Sequence, residues 1–108
     1  MLKRLSLVLI FIFTGCFNNV WAGEFKVQMT DDWVFIPETI ETSAGDAVTW
    51  VNEEYDTHNI VFEDKSVTSS GNVKRGGQFS TVFTKAGRYK YYCRFHRDNG
   101  MRGAVVVK

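Results

Sequence analysis

Phe79-Ser80-Thr81-Val82-Phe83-Thr84-Lys85-Ala86-Gly87-Arg88-Tyr89-Lys90-Tyr91-Tyr92-Cys93 reads as two extended runs rich in β-branched and aromatic residues, joined by a Lys-Ala-Gly turn. Side chains alternate across a strand, so Tyr89, Tyr91 and Cys93 share one face while Arg88, Lys90 and Tyr92 share the other. The first face is aromatic and ends in a thiol; the second meets water. The same pattern extends in both directions. Residues 24–30, 39–43, 47–52, 58–63 and 103–108 form further short runs, with Ala44-Gly45-Asp46 as a tight turn and residues 64–77, rich in Ser, Gly and Asn, as the one long loop. Pro37, the single proline, falls where an edge or crossover segment can tolerate it. Short strands separated by turn signals, with no helix-period stretch and no repeat, predict an all-β Greek-key sandwich or barrel of about seven to eight strands.

Past Cys93 the chain continues Arg94-Phe95-His96-Arg97-Asp98-Asn99-Gly100-Met101. A thiol, an imidazole and a thioether thus fall on one loop at the end of an aromatic strand, and Gly100 gives that loop room to curl back. His58, the only other histidine, begins a separate run and can reach the same end of a sandwich. Two imidazoles, one thiolate and a weak axial thioether are the donor set suited to a copper ion that cycles between oxidation states. Each residue also has a plainer reading. A buried cysteine is commonly a small hydrophobe, a lone histidine can cap a loop, a methionine fills cores, and Trp33, Trp50 and the phenylalanines read as packing. The plain readings fail jointly, because all four donors fall where one site needs them. Two rival functions use the same residues: a copper carrier or chaperone that binds the ion without redox cycling, and an enzyme in which Cys93 and His96 act as nucleophile and base. The second lacks an evident orienting acid or oxyanion arrangement.

The N-terminus has the three-part build of a secretory signal over residues 1–22: Lys3 and Arg4, an apolar run from residue 5 to residue 13 broken by Ser6, and Val20-Trp21-Ala22 at the cleavage positions. That run is short of the roughly 18 residues of a membrane span. Cleavage after Ala22 predicts a periplasmic domain over residues 23–108. Phe13-Thr14-Gly15-Cys16 offers an alternative, a lipobox that would leave a membrane-anchored lipoprotein through Cys16. Cleaved after Ala22, the chain keeps one cysteine, Cys93, which cannot form an internal disulfide; a free thiol in an oxidising compartment calls for an occupant, and a metal supplies one. Residues 23–108 carry 11 basic and 12 acidic side chains, with the acids concentrated before residue 65 and the bases after it. No continuous basic face is evident, which argues against nucleic-acid binding. Arg94, Arg97 and Arg102 on one side of the loop end, and Glu53, Glu54 and Asp56 on the other, form a rim able to orient a docked protein.

The segment from Gly76 to Gly103, together with Phe35-Ile36-Pro37-Glu38-Thr39-Ile40, the Gly45-Asp46 turn and His58-Asn59-Ile60-Val61-Phe62, resembles the cupredoxin family of small blue copper proteins, in particular its plastocyanin-, pseudoazurin- and amicyanin-like members. The likeness covers residues 24–108, and the Cys-x2-His-x4-Met loop has the length found in plastocyanin and pseudoazurin. It implies one copper ion in a type 1 site with His58, Cys93, His96 and Met101 as ligands, and Asn59 bracing the cysteine loop. It also implies electron exit at an exposed His96, a second, more remote route at Tyr92, no enzymatic activity, and a monomer that meets redox proteins such as a c-type cytochrome, a dehydrogenase or an oxidase. Two features depart from the family. Phe95 stands where a proline is frequent, and Arg88 and Lys90 flank Tyr92 where an acidic patch is usual.

Overall fold

The computed structural model describes residues 22–108. The signal-peptide and lipobox readings therefore lie, apart from Ala22, outside the described residues. Eight strands run in order: β1 (Glu24–Met29), β2 (Phe35–Ile36), β3 (Thr39–Thr42), β4 (Ala47–Asn52), β5 (Val61–Phe62), β6 (Gln78–Val82), β7 (Gly87–Tyr92) and β8 (Arg102–Val107). They form two four-stranded sheets, ordered β2-β1-β4-β6 and β3-β8-β7-β5. The chain crosses between sheets at every connection from β2 to β7, so the halves of the sequence interleave in space. Two pairings, β1 with β4 and β3 with β8, are parallel; the hairpin of β7 with β8 is antiparallel and runs the full length of both strands. Among the described residues no helix is long and apolar enough to cross a membrane.

Alternation explains which faces meet. Val27 and Met29 of β1, Val48 and Trp50 of β4, Tyr89 and Tyr91 of β7, and Val105 and Val107 of β8 are all buried and join one core. Trp50 is its centre. Its ring meets Tyr91 edge-on at 5.2 Å and 86°, and Phe62 at 5.8 Å and 79°. Phe35 adds a further edge-to-face contact on Tyr91 at 4.8 Å. Such pairs contribute about 0.5–1.5 kcal/mol each beyond the area they bury. They also fix β7 laterally, which matters because the chain leaves β7 directly into Cys93.

Two expectations change in detail. The run 58–63 pairs as a strand only at Val61 and Phe62. His58 instead makes a single antiparallel bridge to Val73 in the long loop, its N–H donating to the Val73 carbonyl at 3.1 Å and its carbonyl accepting from Val73 N–H at 2.7 Å. Between them, the Ile60 and Phe62 N–H groups donate to the Ser70 and Ser69 hydroxyls, so serine side chains replace a neighbouring strand. The short strand Phe35–Ile36 has no counterpart in the sequence pattern. It pairs with Gln28 and Met29 of β1 just ahead of Pro37.

The turn between β3 and β4 is held by Asp46, whose carboxylate accepts from Ser43 N–H at 2.8 Å and from Gly23 N–H at 2.7 Å. Those two bonds hold its carboxyl below the ordinary range. Gly103 has a different task. A Cβ there would sit 2.5 Å from the Tyr91 ring end and 2.8 Å from the Glu38 carbonyl oxygen, so only glycine lets β8 close against Tyr91. Replacing it by alanine, Gly103→Ala, forces Tyr91 or the β3 entry to shift. Denaturant unfolding of the variant is expected to show a loss of about 1–3 kcal/mol; an unchanged midpoint would contradict this packing.

Candidate metal centre

One end of the sandwich gathers three of the chain's strongest metal donors. The ligand atoms of His58, Cys93 and His96 all lie within 4.8 Å of one another. Cys93 Sγ stands 3.8 Å from His58 Nδ1 and 3.7 Å from His96 Nδ1. A sulfur and a nitrogen bound to one ion at about 2.3 and 2.0 Å, with an angle near 120°, are separated by roughly 3.7 Å. The spacing therefore fits a single small ion, held by one thiolate and two imidazoles. Met101, the fourth residue of the set, is fully buried, as are Cys93 and His58. The Met101 carbonyl accepts from Cys93 N–H at 3.1 Å, which brings the two ends of the loop together.

The loop between them closes on itself. His96 N–H donates to the Cys93 carbonyl at 3.2 Å, while Asn99 N–H and Met101 N–H both donate to the His96 carbonyl, at 3.0 and 3.2 Å. A one-turn 3-10 segment, Arg97–Asn99, ends at Gly100 with φ of 89°, left-handed backbone that suits glycine. From outside the loop, Arg94 N–H donates to Asn59 Oδ1 at 2.7 Å. Asn59 is itself buried and follows His58 directly, so one dipeptide carries a donor and the brace on the opposing loop.

Electrostatics favour a neutral imidazole at the inner donor. Burial lowers the His58 value below that of a free histidine, and His96 pushes it the same way against the weaker opposing pull of Asp56 and Asp31. Metal ligation requires the unprotonated ring, the form that burial favours here. His96 lies nearer the surface, its ring 5.2 Å from that of His58. It is flanked by Phe95, half exposed, and by Trp33, which with Asp56 and Thr57 line a shallow hollow around it. Tyr92 is half-buried, with the Arg97 guanidinium 4.3 Å above its ring.

Two residues near the site escaped sequence reasoning. Asn52 ends β4 and is fully buried. Its side-chain amide donates to the Asp56 carbonyl at 2.7 Å and to the Val73 carbonyl at 2.9 Å, tying the 53–57 loop to the bridge that holds His58. An asparagine before a cluster of acids at a strand end is the available signal, since such residues bond nearby backbone in turns. The sequence alone reads Trp33 as packing. It is 37% exposed and stacks on the His96 imidazole with centroids 4.7 Å apart and planes 12° from parallel.

Two mixed sheets with this donor set at one end define a cupredoxin. A family description, copper binding proteins of the plastocyanin/azurin family, matches residues 22–108. The chain belongs to that family, and the ion for which its centre is built is copper, in a type 1 site. Plastocyanin from Scenedesmus fuscus is 36% identical over 85 residues, spanning 69% of this chain and 87% of that protein. Plastocyanin A/B from Petroselinum crispum is 32% identical over 84 residues, spanning 68% of this chain and 87% of its own. Among solved structures, a purple cupredoxin from Nitrosopumilus maritimus superposes with a TM-score of 0.69 at 28% identity, covering 77% of this chain and 98% of that one. A reduced amicyanin variant carrying a proline-to-phenylalanine replacement gives a TM-score of 0.71 at 32% identity, covering 80% and 83%.

The brace at Asn59 is open to direct measurement. Asn59→Ala leaves the Arg94 N–H without its acceptor, and the metal-free protein is expected to lose about 1–3 kcal/mol in denaturant unfolding. Copper affinity, read by competition with a chromophoric chelator, should fall by at least about tenfold, as for other groups that orient metal ligands.

Proposed function

We propose that this chain is an exported type 1 copper protein that carries single electrons between redox partners, with His58, Cys93, His96 and Met101 as the ligands of one copper ion. The observation that carries the reading is the convergence of the Cys93 thiol on two imidazole nitrogens at 3.7–3.8 Å, at one end of a packed two-sheet scaffold. Bound copper supplies a one-electron couple, and the thiolate and imidazoles suit both of its oxidation states. The residues do the rest. The Cys93–Met101 and His96–Met101 backbone bonds and the Asn59 brace hold the donors in place, so little rearrangement accompanies a change in charge.

His96 is the proposed exit, since it alone of the donors reaches the surface, in an apolar setting made by Trp33 and Phe95. Tyr92, adjacent to Cys93 and capped by Arg97, is a second route with a basic setting of Arg88, Lys90 and Arg102. On the Trp33 side of His96 the acids Asp31, Glu54 and Asp56 are joined by hydrogen bonds, and the bases Arg94 and Arg97 flank His96 along its own loop. Complementary charge of this kind speeds encounter and fixes orientation more than it adds affinity. The partners are redox proteins, of which a c-type cytochrome, a dehydrogenase and an oxidase are the candidates, and the carrier acts as a monomer. No substrate is transformed: the Cys93 thiol is completely buried and unreachable as a nucleophile. Burial of Cys93, His58 and Met101 also disfavours the chaperone reading, because handing over an ion by ligand exchange needs donors that a partner can touch.

Adding Cu(II) to the purified protein is expected to produce an intense visible thiolate-to-copper band and a blue or green colour, abolished in Cys93→Ser. A colourless wild-type protein would sink the assignment. Export is checked separately. Fractionation should place the protein in the periplasm, and mass spectrometry should find Gly23 as the first residue; an acylated Cys16 would establish the membrane-anchored alternative.

A further inference from the structure

The contact between Trp33 and His96 is made by a segment with no metal donor of its own. Trp33 lies in the connection from β1 to β2, where Thr30 N–H donates to the Val34 carbonyl and Trp33 N–H to the Thr30 carbonyl, both at 3.1 Å. Its backbone is left-handed, with φ of 63°, a conformation that bulky side chains rarely adopt and that persists only when the surroundings impose it. Here they do. The indole Nε1 donates to Asp56 Oδ2 at 3.0 Å, and the Asp31 carboxylate accepts from Asp56 N–H at 3.0 Å and Tyr55 N–H at 3.2 Å. Asp31 N–H in turn donates to Glu54. Asn52 anchors the far side of the 53–57 loop to Val73, the bridge partner of His58. One hydrogen-bonded chain thus runs from the segment that holds His58 to the indole that covers His96.

We propose that Trp33 is a positioning residue for His96: the indole, locked by Asp56, clamps the imidazole face so that the outer donor is aimed at Cys93 before copper arrives. The need is specific to His96. His58 is immobilised by complete burial, whereas His96 sits at the surface on a loop, where an uncovered ring would sample other rotamers. Near-parallel stacking at 12° restricts rotation of the ring while leaving its edges free, one toward Cys93 and one toward solvent. The clamp rests on the assignment of His96 as a copper ligand, and its readouts separate the two claims.

The test compares wild type with Trp33→Ala and Trp33→Phe as full-length proteins. In the metal-free state, ring-current shifts of the His96 carbon-bound protons in NMR spectra report the stack without copper. They are expected in wild type and, reduced, in Trp33→Phe, and should vanish in Trp33→Ala. Copper affinity by chelator competition should fall roughly tenfold in Trp33→Ala and by an intermediate factor in Trp33→Phe, which keeps an aromatic face on the imidazole but loses the bond to Asp56. Thermal melting of the metal-free variants should fall only slightly, because Trp33 is exposed and its one side-chain hydrogen bond faces solvent. Two results would overturn the clamp: wild-type copper affinity in Trp33→Ala, or a loss matched by an equal drop in metal-free stability. A wild-type protein with the ring-current shifts but no coloured copper complex would sink the electron-carrier reading while leaving the stack established.

Discussion

The aromatic cluster around Trp50 is the constraint on which the rest of the molecule depends. It joins the two sheets through rings that meet edge to face, and such contacts resist sliding as well as separation. Tyr91 is common to several of them. Because Cys93 lies two residues further along the same face, the position of the thiol is set by packing of the core. Gly103 completes this arrangement by allowing the neighbouring strand to close against the Tyr91 ring. Core and metal centre are one mechanical unit, and a lesion in the first is felt in the second.

The donors reach the centre by different routes, and the differences have chemical meaning. Cys93 and Met101 are the closing residues of a hairpin, joined by a backbone bond. His58 is delivered from the opposite loop region by its bridge to Val73, and burial favours its neutral form. His96 is the one donor in contact with the outside. A centre whose other donors are buried and whose His96 alone is partly exposed shields the ion from competing ligands on all but one side.

Much of this was legible in the chain. Strands β1, β3, β4, β7 and β8 announced themselves because each buries one face, which imposes period-2 alternation on residue type. The donor set was legible because thiol, imidazole and thioether side chains are few and their spacing is tight. What could not be read depends on pairing or on backbone conformation. Phe35–Ile36 is too short to alternate and exists by virtue of its partners Gln28 and Met29. The stretch from His58 to Ile60 has strand-like composition, yet serine hydroxyls and Val73 take its backbone bonds. Trp33 carries no local mark of its role, since its direction follows from a left-handed φ and from Asp56, residues away in sequence.

The Gly23 N–H that donates to Asp46 sits at the processing junction proposed after Ala22. Proteolysis at that point would turn an amide donor into an α-ammonium facing an acid already held ionised by its neighbours. A charge–dipole hydrogen bond would become an ion pair, made only in the mature chain and located where β1 enters the sheet beside β4. Removal of the leader would then strengthen the contact at the start of β1. Acylation at Cys16 would leave the amide uncharged, so the two maturation routes yield domains that differ in electrostatics at their first strand.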